Sequence, residues 1–117
     1  MRHCIETVAQ GDLYIRRIGS LPNDCVQVPA TNGRHILAHS ETGHHHVMLA
    51  KRVTVHRSPT DDGKLLRLFF EVTGDEPVAL EHLRPFDTHE PIMFRPGFYE
   101  ARRQREYTPD GSRTVAD

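Results

Sequence analysis

The sequence predicts a small all-β domain, an antiparallel barrel or jelly roll with little helix. Turn signals such as Asn32-Gly33, Gly74-Asp75 and Pro96-Gly97 are dense and evenly spaced along the chain. The segments between them are short and alternate or are rich in β-formers, which is typical of sandwiches and barrels. No ten-residue window carries an apolar stripe at helical spacing with good caps. These three observations favour strands over helices throughout.

The turn signals divide the chain into candidate strands. We predict strands near residues 12–18, 34–41, 44–55, 64–73, 77–81, 91–94 and 98–107. The clearest hairpin joins Val53–His56 to Leu65–Val72 through a turn at Asp61-Asp62-Gly63, because Asp-Gly favours the positive φ of a tight turn. Asn32-Gly33 is predicted to form a second turn of this kind.

Length and charge restrict the classes of protein that fit. The 117 residues are enough for one hydrophobic core and too few for two. We therefore predict one β domain at 1–107 and a polar C-terminal tail at 108–117. The net charge of -1, with neutral histidines, gives no strong field to attract nucleic acid or anionic lipid.

Targeting and redox signals are weak. No apolar run approaches the roughly 18 residues of a membrane span, and residues 1–6 lack the apolar core of a signal peptide. We expect a cytoplasmic protein with no membrane partner. Cys4 and Cys25 form no CxxC pair and are predicted to be free thiols.

The main anomaly is histidine, which occurs nine times and clusters in residues 39–46. If Thr42-Gly43 is a two-residue hairpin loop, His39 pairs with His46 and Glu41 pairs with His44. Paired residues share a face of a sheet, as do residues two apart on one strand. The hairpin would then project three imidazoles and one carboxylate from the same face.

Such a cluster suits a divalent transition metal, namely Zn, Fe, Mn or Ni. A further ligand could come from His82 or from His89, which precedes a predicted return strand. The predicted metal ligands are His39, Glu41, His44, His46 and His89. The competing interpretation is a solvated histidine-rich turn.

These residues resemble motifs of the cupin superfamily, which are small metal-binding β-barrels. His44-His45-His46 after Thr42-Gly43 looks like the first cupin motif, and Arg95-Pro96-Gly97 looks like a Pro-Gly turn of that fold. The resemblance implies a barrel that holds an ion through a His-x-His pair, a carboxylate and a distant histidine. Glu41 would replace the carboxylate that usually follows the pair, because Ala50 stands there.

The chain is also similar to short uncharacterised bacterial and phage proteins. The shared elements are Gly-Asp-Leu-Tyr-Ile at 11–15, Thr-Gly-His-His-His at 42–46 and Gln-Arg-Glu-Tyr at 104–107. This second resemblance implies no function.

A basic segment at residues 101–107 is the second candidate site. Arg102, Arg103 and Arg105 are predicted partner-binding residues, and a basic strand with aromatics can hold a nucleic-acid backbone. Glu100 and Glu106 dilute the charge, so we do not expect nucleic acid as the partner. We favour a solvated edge strand whose charges prevent edge-to-edge pairing.

Two functions remain open from the sequence. One is a metal-dependent enzyme of the cupin type that acts on a small oxygenated substrate. The other is a non-catalytic, metal-stabilised accessory or interaction module that uses the basic strand for a protein or nucleic-acid partner. The residues do not decide between catalysis and stabilisation. Exposed strand edges favour a homodimer.

Overall fold

The computed structural model describes residues 2–10, 13–38, 45–59, 67–82, 89–103, 105–108 and 111–114. Within these ranges every regular element is a β-strand, so the all-β prediction is confirmed. No helix in this part of the chain is long and apolar enough to cross a membrane.

The described strands form two large sheets and one small one. The first sheet has five strands in the order β1 (Arg2–Cys4), β10 (His89–Phe94), β9 (Val78–His82), β6 (His46–Leu49) and β5 (Arg34–Ala38). The second sheet has six strands in the order β2 (Thr7–Gln10), β3 (Leu13–Ile18), β11 (Gly97–Arg103), β8 (Arg67–Val72), β7 (Val53–Arg57) and β4 (Val26–Val28). The third sheet pairs β12 (Arg105–Thr108) with β13 (Gly111–Thr114). Only the pair β1–β10 is parallel among these strands.

The two large sheets pack as a sandwich with the core between them. Phe70 and Tyr99 of the six-stranded sheet stack at 4.9 Å between ring centroids. Phe94 of the five-stranded sheet meets both rings edge-on, at 5.3 and 5.0 Å. Among the described strands, no backbone ladder joins one large sheet to the other, so they form a sandwich of two open sheets.

Several strand boundaries differ from the predicted ones. The predicted single strand at 44–55 is wrong, because a turn at residues 50–52 separates β6 from β7. In that turn the amide of Val53 donates to the carbonyl of Ala50 at 3.2 Å. Strands β1, β2, β4 and β13 have no counterpart in the prediction. The hairpin β12–β13 crosses the predicted boundary at residue 108, which stays a prediction.

Both predicted hairpin features have a structural counterpart. Strands β7 and β8 pair antiparallel, with Val53 opposite Val72, although the turn at 61–63 lies outside the described residues. Asn32 and Gly33 have φ angles of 52° and 73°. Thr31 and Arg34 close this turn with two backbone hydrogen bonds of 2.9 and 3.0 Å. The Asn32-Gly33 turn is therefore confirmed.

Replacing Gly33 should destabilise the fold through backbone strain alone. No heavy atom lies within 4 Å of an added Cβ at Gly33, so Gly33→Ala introduces only the left-handed φ penalty. We expect the free energy of unfolding to fall by about 1 kcal/mol. Gly19 is equally open and has no positive φ, so Gly19→Ala is the matched control and should leave the free energy of unfolding unchanged or raise it by up to about 1 kcal/mol. Equal effects in urea unfolding would contradict the turn assignment.

Candidate functional site

Three histidine positions form a row at one end of the five-stranded sheet. His46 begins β6, His82 ends β9 and His89 begins β10. The backbone register places His46 opposite His82, and His82 opposite His89. Directly opposed residues have Cβ atoms about 5 Å apart. Residues far apart in sequence thus become neighbours on three adjacent strands.

The row contains two of the predicted metal ligands, His46 and His89. The predicted pairing of His39 with His46 is wrong, because the residue opposite His46 is Ala38. The register shifts between Ile36 and Ala38, which gives His46 this partner. The other predicted ligands, His39, Glu41 and His44, lie outside the described residues.

The His46 ring is held by Gln10, which reaches across from the six-stranded sheet. The Gln10 amide nitrogen donates to the carbonyls of Leu80 and Glu90, at 3.0 and 3.1 Å. Its side-chain oxygen lies 2.9 Å from Nδ1 of His46. That oxygen can only accept, so Nδ1 of His46 carries the hydrogen. In the neutral ring, Nε2 is then the nitrogen with the lone pair, which is the arrangement of a histidine oriented for metal binding.

His46 and His82 are both fully buried and stack on each other. Their ring centroids are 3.9 Å apart and their planes differ by 16°. A metal ion lies in the plane of each imidazole that binds it, at about 2.0–2.1 Å from the nitrogen for zinc. The planes of two stacked rings do not meet at a point between them, so a shared ion requires one ring to turn.

The ligands available within the described part of the chain are limited. There, no group of three or more His, Cys, Asp or Glu side chains is placed to hold a metal ion. The side chain of His89 falls outside that description. The strand register therefore identifies this end of the sandwich as the candidate site. The described side chains do not already converge on one point.

His35 occupies a different place in the core. It lies on β5, is 6% exposed and donates from Nε2 to the carbonyl of Val53 on β7 at 3.1 Å. Burial lowers the pKa of His35, and the carbonyl of Val53 opposes this shift only in part. His35 thus serves as a neutral polar link between the sheets.

A second charged cluster covers the outer face of the six-stranded sheet. Glu100 on β11 is 2% exposed and is surrounded by Arg16 of β3, Arg67 of β8 and Arg102 of its own strand. The Nε atoms of these arginines lie 2.8, 3.1 and 3.0 Å from its carboxylate oxygens. Burial raises the pKa of Glu100, but the three arginines outweigh it and hold the pKa below its ordinary value.

The predicted partner-binding arginines are separated by the fold. Arg102 belongs to the Glu100 cluster on the outer face, whereas Arg103 is the next residue of β11 and is half-buried. Arg105 begins β12 in the two-stranded sheet. For Arg102 and Arg103 the edge-strand interpretation is wrong, because β11 lies inside its sheet between β3 and β8. For Arg105 it holds among the described strands, where β12 pairs with β13 alone. Their role in partner binding stays a prediction.

Sequence reasoning missed Gln10, Arg16 and Arg67. Gln10 is 36 residues from His46, and Arg16 is 84 residues from Glu100. The one local signal was the position of Gln10 directly before Gly11-Asp12, a sequence pair typical of turns, because a strand end can present its side chain to other strands. Nothing in the local pattern of Arg16 or Arg67 identifies their common partner.

Comparison with known proteins finds one family. The profile described as "Domain of unknown function (DUF8820)" matches residues 9–104, a span that contains Gln10 and the whole histidine row. No curated protein and no solved structure gives a significant match.

Removing the Gln10 amide should weaken the contact between the sheets. Gln10→Leu deletes three hydrogen bonds at once, two buried and one partly buried, and we expect the free energy of unfolding to fall by about 2 kcal/mol or more. Gln27 on β4 is exposed, so Gln27→Leu is the matched control and should cost about 0.5 kcal/mol or less. Urea unfolding of both variants measures the difference, and similar losses would contradict the bridging role.

Glu100 should contribute stability that acid removes. Because its folded pKa lies below the ordinary 4.5, the contribution is complete above that pH and is lost as the pH falls through the folded pKa. Glu100→Gln should lower the free energy of unfolding at pH 7 by about 1–3 kcal/mol, a loss kept modest because water partly screens the half-exposed arginines. It should also flatten the fall of that free energy below pH 5, because glutamine does not titrate. Glu71→Gln, on β8 and partly exposed, should change little. Chemical unfolding between pH 3 and 7 checks both, and an unchanged acid profile in Glu100→Gln would refute the assignment.

Proposed function

We propose that this chain, which belongs to the DUF8820 family of domains of unknown function, binds a divalent transition metal at the histidine row. The observation that carries the proposal is the register of His46, His82 and His89 across three neighbouring strands. Imidazole is a ligand suited to zinc, iron and nickel, and zinc accepts such nitrogens in tetrahedral sites.

The two stacked rings, His46 and His82, have different roles in the proposed site. Gln10 fixes the His46 ring through Nδ1, so Nε2 would be its ligand nitrogen. His82 would be the ring that turns about its Cβ–Cγ bond, which would end the stacking and make one of its nitrogens available as a ligand. His89, opposite His82 in the register, supplies the third ligand. The fourth comes from His39, Glu41 or His44 in the segment that enters the sheet at His46.

The ion serves the fold rather than a reaction. Structural metal sites are closed, whereas catalytic sites keep a coordination position open to substrate. His46 and His82 are both 0% exposed, which supports the closed type. An ion bound there would join β6, β9 and β10 to the histidine-rich connection, and its binding energy would add to the stability of the sandwich. The chain would thus act as a metal-stabilised module.

The experiment compares metal content and stability in the untagged protein. We expect about one zinc or other transition-metal ion per chain by elemental analysis, and an increase in unfolding free energy of about 2.7 kcal/mol when free metal is at 100 times its Kd. His89→Gln and His82→Gln should lose the ion and this metal-dependent increase. His56→Gln is the control, because His56 lies in the other sheet and contacts Thr54 at 3.2 Å.

Each outcome separates the alternatives. Wild type that binds no stoichiometric metal, and whose unfolding is unaffected by added metal, refutes the proposal. Loss of the ion together with stability supports the structural module. Loss of the ion in His89→Gln with stability equal to that of metal-bound wild type would instead favour the cupin-type enzyme acting on a small oxygenated substrate. Loss of the ion in His56→Gln would show binding to surface histidines.

A further inference from the structure

A groove crosses the outer face of the five-stranded sheet, on the side turned away from the core. It encloses about 320 Å³. Val47 and Leu49 of β6 and Ala79 of β9 line it with apolar side chains. The turn at residues 50–52 and the start of β9 supply the remaining walls, which include Lys51, Arg52, Pro77 and Val78.

The apolar lining is unusual for this position. Outward-facing residues of a sandwich are ordinarily polar, since they meet water. Here Leu49 is 63% exposed, and Ile36, which lies opposite Val47 in the register, is 38% exposed. Neighbouring exposed apolar side chains on an outer sheet face are the usual mark of a binding surface.

The positively and negatively charged side chains lie at opposite ends of the groove. Arg34, opposite Leu49 in the register, lies with Lys51 and Arg52 at the end near the β6–β7 turn. Arg52 donates to the carbonyls of Glu76 and Pro77 at 2.7 and 3.3 Å, which fixes its positive charge beside the groove. Glu81 lies towards the other end, opposite Val47. The lining therefore has a cationic end and an acidic end.

We propose that this groove binds a small amphipathic carboxylate. The apolar body of the ligand covers Val47, Leu49 and Ala79, and its carboxylate lies at the cationic end between Arg34 and Lys51. Glu81 repels a reversed orientation. The site lies on the face of the sheet opposite the buried histidines and does not depend on the proposed metal.

Two other occupants fit the groove less well. A second copy of the chain would dock through the same face about a two-fold axis. The interface would then hold the cationic end of both grooves, and each copy would offer only the carboxylate of Glu81 to balance its positive charges. A folded protein partner would need a larger contact surface than a single groove offers. The volume of the groove is at the lower end of the range of about 300–1,000 Å³ for small-molecule sites, which favours a small ligand.

The test titrates decanoate into the full chain by calorimetry and by chemical-shift mapping. We expect saturable binding of one decanoate per chain, with shifts confined to β5, β6, β9 and the 50–52 turn. Lys51→Glu should raise the Kd about tenfold, and Leu49→Asp should abolish binding. Arg57→Glu is the matched control, because it makes the same change in charge on an exposed residue of the other sheet. That variant should bind as wild type does.

Several results would overturn the proposal. Absence of saturable decanoate binding would do so directly. Decanol binding as tightly as decanoate would remove the role of the cations, and equal weakening by Lys51→Glu and Arg57→Glu would show a general charge effect. A dimer in light scattering that dissociates in Leu49→Asp would assign the groove to a second copy. Circular dichroism of each variant confirms that the sandwich is intact.

Discussion

The packing of two open sheets over Phe70, Phe94 and Tyr99 is the constraint on which the rest of the structure depends. Each ring comes from a different strand, and Phe94 belongs to the sheet opposite the other two. No backbone ladder between the described strands joins the large sheets, so in this part of the chain contacts made by side chains hold them in position. Large buried side chains contribute about 1.5–3 kcal/mol each when removed from water, and these three rings pack at the centre of a core that aliphatic side chains from both sheets complete.

Apolar contacts hold the sheets together without specifying how they are aligned, and two polar side chains supply that alignment. Gln10 extends from β2 to the carbonyls of Leu80 and Glu90, and His35 extends from β5 to the carbonyl of Val53. A buried polar group that loses its partner costs about 1–3 kcal/mol, so a slip of one sheet over the other is penalised at both points. The Gln10 contact also sets which nitrogen of His46 carries the hydrogen. The alignment of the sheets and the chemistry of the histidine row therefore share one hydrogen bond.

The candidate sites differ in how far the sequence could predict them. His46 and His89 were identifiable because histidine is unusual beside predicted strands and imidazole has few common roles. Gln10 was not, because its partners are 36 to 80 residues away and glutamine has no distinctive chemistry of its own. The same holds for Arg16 and Glu100, which become neighbours only because β3 pairs with β11. The predicted His39–His46 pairing failed because the register of β5 and β6 shifts between Ile36 and Ala38, and the local sequence pattern gives no sign of that shift.

The sequence by itself determined the features that depend on neighbouring residues. These are the strand character of the chain, the Asn32-Gly33 turn with its positive φ angles, and the concentration of histidine near β6. Only the tertiary structure decided which strands are adjacent, and so which histidines form a row and whether β11 is an edge strand. The physical reason is that turn and strand preferences arise from steric effects within a few residues, whereas strand order minimises the exposure of apolar faces across the whole chain. Residues such as Gln10 acquire their role from that second, global requirement.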